Sequence, residues 1–258
     1  MGDIFTDENG RPRVLRGVSI LSGSTRLAEM AGRIGFDAIW IEVEHGPASF
    51  SEVESLCVAA EVGGAIPAVR IPDAERHHVL RSMEAGARIL IVPMINDAAT
   101  ARQVVQHGKF PPLGSRGFNT RSRGVEYGLA GMEQAFQQAN ERSYFFAQIE
   151  TLQAVENLEA ICGVEGLAGV LVGPGDLSVS AGRMGQLADP ELITMVTDCI
   201  KRARGLSKHA GIMVSPGPML DAALAAGCDL VFCGGDFGSL AAAWQDLLSS
   251  LKAKGEAR

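Results

Sequence analysis

The chain has 258 residues, 47% of them hydrophobic and 21% charged, a balance that supports a packed core and excludes a disordered chain. Its formal net charge of −7 and aromatic content of 5% argue against a nucleic-acid binder, which needs a basic face and often a stacking platform. The five cysteines (Cys57, Cys162, Cys199, Cys228, Cys233) lack zinc-knuckle spacing and read as reduced, buried thiols. The polar N-terminus has no signal-peptide core and no run of 18 apolar residues occurs, so a cytoplasmic protein with no membrane partner is expected.

Taken in chain order, short apolar runs alternate with longer amphipathic stretches. A strand predicted over 17–21 precedes a helix over 24–34, and a strand over 38–42 precedes a helix over 50–62. The pattern continues with 66–70 then 74–85, and with 89–93 then 98–106. A polar, glycine-rich stretch over 107–130 follows, containing "PPLGSRGFNTRSRGVEYGL", and then a helix over 131–140. The remaining pairs are 144–149 with 152–161, 169–172 with 190–207, 211–214 with 218–226, and 230–233 with 237–254.

The strands read as continuous apolar runs, the mark of a parallel sheet buried on both faces. Eight β-α units in a chain of this length favour a (β/α)8 TIM barrel over a doubly wound sheet, as one domain spanning 1–258. No Gly-x-Gly-x-x-Gly follows the first strand and no Walker-type loop occurs, so no nucleotide cofactor is expected. The long stretch after the fourth strand is expected on the active face, because long loops inside compact domains are usually functional or disordered.

Active sites of such barrels gather at the carboxyl ends of the strands. There the second strand offers Glu42, Glu44 and His45, the third Arg70, the fifth Gln148 and Glu150, and the sixth Gly173, Pro174, Gly175 and Asp176. The fourth and seventh end blandly at Pro93 and Val214. Glu150 and Asp176 come from neighbouring strands. Together they make a hard oxygen site suited to Mg2+, Mn2+ or Co2+, with coordination room for a substrate. The same two residues also suit plain helix N-termini. His45 is either a base oriented by Glu42 or Glu44, or an ordinary loop residue. Arg70 is either a fork for a substrate carboxylate or enolate oxygen, or the partner of Glu42, Glu44 or Glu84 in a structural ion pair. None of the five lysines falls at a predicted strand end, which disfavours a Schiff-base lysine and leaves a metal Lewis acid as the route to carbonyl activation.

These residues carry a family resemblance. The segments "IWIEVEHGP", "IPAVRIP", "EAGARILIVPM", "PPLGSRG", "QIET" and "VGPGDLSVSAGRMGQ" occur in the order found in the HpcH/HpaI family of class II pyruvate aldolases, over about 17–235. The resemblance implies a phosphoenolpyruvate/pyruvate-domain-like barrel in which Glu150 and Asp176 hold a divalent metal. It implies that Arg70 contacts the pyruvyl oxygens and stabilises the enolate, that His45 serves as acid/base, that Gln148 lines the pocket, and that Gly173, Pro174 and Gly175 hold the pyruvate carboxylate. The reaction implied is reversible cleavage of a 4-hydroxy-2-oxo acid to pyruvate and an aldehyde through a metal-stabilised enolate. The alternative is oxaloacetate decarboxylation, or other pyruvate-enolate chemistry, on the same residues. A hexamer built as a trimer of dimers, with the last helix exchanged, is also implied. The sequence departs from the pattern at Glu42, where aspartate is usual, which puts the His45 pairing in question. It departs again at 118–123, where Arg121 and Arg123 stand ready either to meet an anionic group on the aldehyde or to lie in a solvated or intersubunit loop.

Overall fold

The computed structural model describes residues 3–255. Eight strands, β1 (Leu15–Ile20), β2 (Ala38–Glu42), β3 (Ile66–Arg70), β4 (Ile89–Val92), β5 (Tyr144–Ile149), β6 (Gly169–Val172), β7 (His209–Met213) and β8 (Leu230–Gly235), pair in parallel in chain order. Pairing of β8 with β1 closes the barrel. Around it lie α1 (Thr25–Ile34), α2 (Phe50–Val62), α3 (Arg76–Ala85), α4 (Ala98–Gly108), α5 (Met132–Glu141), α6 (Leu152–Glu156), α7 (Leu158–Cys162), α8 (Pro174–Ser180), α9 (Pro190–Gly205), α10 (Pro218–Ala225) and α11 (Asp236–Gly255). No helix among the described residues is long and apolar enough to cross a membrane.

The apolar positions sort into two clusters by strand parity. Ile39, Ile41, Val69, Leu90, Val92 and Val170 pack outward with the helices. Leu15, Trp40, Ile91, Phe146, Leu171 and Phe232 fill the barrel. Alternation along a strand carries the inward parity on to its carboxyl end: Trp40 to Glu42, Ala68 to Arg70, Phe146 to Gln148 and Glu150, Leu171 to Gly173. The polar residues of the mouth are thus the top layer of the same stack that forms the core. Gly17 is required inside β1, because a Cβ there would come within 2.4 Å of the Phe232 ring.

The amino end of the barrel is closed by the N-terminal segment. Ile4 and Phe5 are buried, and the Phe5 ring stacks on His209 at 3.7 Å between centroids and meets Tyr144 edge-on. Replacing Phe5 by alanine is expected to cost about 3 kcal/mol, read as a lower urea midpoint; an unchanged midpoint would show that this plug carries no stability.

The structure differs from the sequence reading in three places. The "PGDLSVS" segment forms α8, because Pro174 at the first helical position starts a helix with no donor to lose. The helix over 152–161 is split into α6 and α7 at Asn157. The long stretch after α4 does not lie on the active face. Helix α4 carries the chain back before that stretch begins, so Arg123 pairs with Glu61 near the end of α2, and Glu126, in the 3-10 helix Arg123–Gly128, pairs with Arg142 just ahead of β5. Both partners sit at the amino side of the barrel. At the end of the chain, Asp236 is held against the β1–α1 loop, and beyond it Phe237, Trp244, Leu247, Leu248 and Leu251 of α11 are exposed.

Candidate active site

Glu42 organises one half of the mouth. It is buried and its Oε2 accepts from Trp40 Nε1 at 2.9 Å and from Arg70 Nε at 2.8 Å, with Arg70 Nη2 at 2.6 Å. Its Oε1 accepts the backbone N–H groups of Glu44 and His45 at 2.7 and 3.1 Å. The carboxylate at this position therefore folds the β2–α2 loop and does not touch the His45 ring. The imidazole is exposed, and its Nε2 lies 3.9 Å from Glu44 Oε2, within ion-pair range but too far for a hydrogen bond.

Arg70 is gripped by Glu42 and also by Glu44, whose Oε2 lies 3.0 Å from Nη1. Nε is hydrogen-bonded to Glu42, while Nη2 and Nη1 lie within ion-pair range of Glu42 and Glu44, so the guanidinium keeps N–H donors for another anion. Its guanidinium also sits 5.2 Å from the centre of the Trp40 ring. The structural ion pair and the substrate fork, alternatives at the sequence level, are thus compatible in one side chain. Glu84 is not part of this network: it lies on α3 and accepts from Asn119 Nδ2 at 2.9 Å on the outer flank. Arg121 borders an outer groove together with Glu54, Arg81 and Glu84. Within this subunit, then, neither Arg121 nor Arg123 reaches the mouth.

The other half is acidic. Glu150 is buried and accepts from Met94 N–H at 2.7 Å through Oε1 and from the Gln148 amide through Oε2. Burial raises its carboxyl above the usual range. The Met94 N–H opposes that shift, while Asp176 and Glu44 add to it by repulsion. Glu44 is raised likewise, first by burial, with Arg70 and His45 pulling it down and Glu42 and Asp176 pushing it up. Glu44, Glu150 and Asp176 therefore feel one another across the mouth. Two acceptors there, Glu44 Oε2 and Gln148 Oε1, are buried with no hydrogen-bond donor. The Arg70 Nη1 group near Glu44 lies close but off the hydrogen-bond axis. Gly173 keeps the site open, because a Cβ would come within 3.0 Å of Glu150 Oε2. Asp176 sits in the exposed first turn of α8.

Carboxylates that repel one another at the ends of neighbouring strands are the chemistry of a hard divalent cation site. Among the described residues no three His, Cys, Asp or Glu side chains converge as a complete ligand cage. Glu150 and Asp176 would be the protein's share, with open positions for water and substrate. Lys109 has its pKa lowered to about 8 by burial, the behaviour expected of an imine-forming lysine, but its Nζ donates to Asn140 O at 2.6 Å and Ser143 Oγ at 2.8 Å, ahead of β5 at the opposite end of the barrel. Cys57, Cys162, Cys199 and Cys228 are buried, and burial pushes Cys162 up to about 11 and Cys199 and Cys228 to about 12. The sequence reading missed Met94, whose contribution is a backbone N–H and leaves no trace in residue type.

Comparison with known proteins accords with this arrangement. The HpcH/HpaI aldolase/citrate lyase family matches residues 17–243. A 2-dehydro-3,6-dideoxy-6-sulfogluconate aldolase of Pseudomonas putida is 32% identical over 238 residues, 92% of each chain. A 2-keto-3-deoxy-L-rhamnonate aldolase of Salmonella gallinarum is 33% identical over 221 residues, 85% of this chain and 82% of the relative. Among solved structures, an HpcH/HpaI aldolase from Desulfitobacterium hafniense superposes with a TM-score of 0.87 at 26% identity, over 93% of both chains.

Proposed function

Because the chain belongs to the HpcH/HpaI aldolase/citrate lyase family and is a carbon–carbon lyase, we propose that it cleaves a 4-hydroxy-2-oxo acid reversibly to pyruvate and an aldehyde, with a divalent cation at Glu150 and Asp176. The observation that supports this most directly is the pairing of these carboxylates, across the mouth, with an arginine held in place by Glu42 and Glu44. A bound Mg2+, Mn2+ or Co2+ would supply Lewis-acid polarisation of the 2-oxo group. The free donors of Arg70 meet the pyruvyl oxygens and stabilise negative charge as the carbon–carbon bond breaks. At the Gly173-Pro174-Gly175 turn the Gly175 N–H takes the substrate carboxylate, since Pro174 has no N–H and that of Gly173 is bonded to Ile149 O, and Gln148 orients Glu150 from beside it. His45, exposed at the rim, takes the proton from the 4-hydroxyl oxygen as the C3–C4 bond breaks and delivers it to C3 of the enolate to release pyruvate; addition runs both transfers in reverse. Glu44 Oε2 lies 3.9 Å from its Nε2.

Treatment with a chelator is expected to abolish cleavage of 4-hydroxy-2-oxo acids, and Mg2+, Mn2+ or Co2+ to restore it; full activity after thorough removal would refute the cation's role. Oxaloacetate supplied without an aldehyde separates the readings, because faster turnover of oxaloacetate than of any hydroxy-oxo acid would identify a decarboxylase.

The same proposal includes a homo-oligomer, a hexamer built as a trimer of dimers, in which α11 packs on a neighbouring subunit. Its apolar residues Trp244, Leu247, Leu248 and Leu251 are exposed on their own chain and need cover. Trp244→Asp is expected to shift the protein to smaller species by light scattering; an unchanged mass would remove α11 from the interface.

A further inference from the structure

The loop between β4 and α4 carries a backbone conformation that nothing in its own sequence requires. Met94 has φ 53, in the left-handed region, although its side chain is long and about half exposed. Such a conformation costs a non-glycine residue of order 1 kcal/mol and persists only where its surroundings impose it. The conformation turns the Met94 N–H onto Glu150 Oε1 at 2.7 Å.

The grip on this loop comes from the segment that follows β5. Asn157 Nδ2 donates to the carbonyl of Asn96 at 2.8 Å. The Thr151 hydroxyl donates to Asn96 Oδ1 and accepts the N–H of Ala154 at 3.0 Å, so it staples the loop while capping α6. Asn157 is the residue at which α6 and α7 part, with φ −93 and ψ 10. Ile95, between the stapled Asn96 and Met94, is buried. The loop is therefore fixed on the carboxyl side of Met94, while on the amino side it leaves β4 at Val92.

We propose that Asn157 and Thr151 are positioning residues for the cation site: by holding Asn96 they aim the Met94 N–H at Glu150 and fix the carboxylate for ligation. This rests on the reading of Glu150 as a cation ligand. Partners that orient a ligand from behind typically account for about 10–100-fold of metal affinity.

The test is direct Mn2+ titration of the full-length protein, followed by electron paramagnetic resonance of free Mn2+, with turnover and melting temperature in parallel. Asn157→Ala is expected to weaken Mn2+ binding about tenfold. Thr151→Val, which removes only the hydroxyl, is expected to act in the same direction and serves should the first variant not fold. Thr151→Ser, which restores the hydroxyl, is expected to recover the affinity. Glu150→Gln is expected to abolish binding. Parental affinity in folded Asn157→Ala and Thr151→Val, with Glu150→Gln inactive in binding, overturns this inference alone. Parental affinity in Glu150→Gln overturns the ligand reading and the inference with it.

Discussion

Arg70→Ala is expected to lower kcat/KM for retro-aldol cleavage by about three orders of magnitude, the scale of losing a preorganised donor at developing negative charge. The argument turns on how Arg70 is held. Glu42 takes Nε and Nη2, and Glu44 lies 3.0 Å from Nη1, so the remaining donors point in a fixed direction before substrate arrives. Arg70→Lys keeps the charge but loses the fork, and one ammonium cannot serve two carboxylates and a substrate together. It is expected to lose about a hundredfold. Removal of the guanidinium also strands the buried Glu42 carboxylate, a cost of about 3–5 kcal/mol. Melting temperatures must therefore accompany the kinetics, and the lysine variant, which retains a cation, carries the comparison if alanine unfolds. Arg202, paired with Glu159 and Asp198 on the outside of α9, is the control, with turnover expected within twofold after Arg202→Ala. Equal losses at Arg70 and Arg202 would remove Arg70 from the chemistry.

The barrel was legible because its signal is repeated. Strands such as 38–42, 66–70 and 144–149 match β2, β3 and β5 to the residue, since a parallel strand buried on both faces is an uninterrupted apolar run. Inward parity then places Glu42, Arg70 and Gln148 at the mouth with no further information. Side-chain contacts were less legible. Glu42 reads as a partner for the His45 ring, whereas in the fold it accepts the loop N–H groups and the Trp40 indole. Arg121 and Arg123 read as candidates for the mouth because they follow the fourth strand, but α4 intervenes and reverses the chain. The strained Met94 and the break at Asn157 are backbone geometry enforced by tertiary hydrogen bonds. Residue-type patterns carry no record of such bonds, which is why two asparagines and a threonine that shape the site went unremarked.

The same acidity that fits Glu150 for a cation makes it a liability in the empty protein, and Glu150→Gln should separate the two. Burial, with repulsion from Asp176 and Glu44, raises the Glu150 carboxyl above its ordinary value of 4.5. A raised value in the folded state means that the folded protein holds this proton more tightly than the unfolded chain. The resulting stability is fully present below 4.5 and is lost as pH rises through the raised value. Ionising Glu150 in the metal-free protein therefore carries a cost. Glutamine removes the charge at constant size. Its amide would face two donors, Met94 N–H and the Gln148 amide, but Gln148 can turn its unpartnered Oε1 toward the new NH2 group. The metal-free variant is accordingly expected to melt about 3 °C above the metal-free parent while losing essentially all aldol cleavage. Saturating Mn2+ should then reverse the order, because it stabilises only the protein that binds it. In the parent the same carboxyl predicts that Mn2+ binding falls away on acidification at a pH above the usual carboxylate range. A variant that melts below the metal-free parent, or gains as much from Mn2+ as the parent does, would show that Glu150 is held for structure and not for a cation.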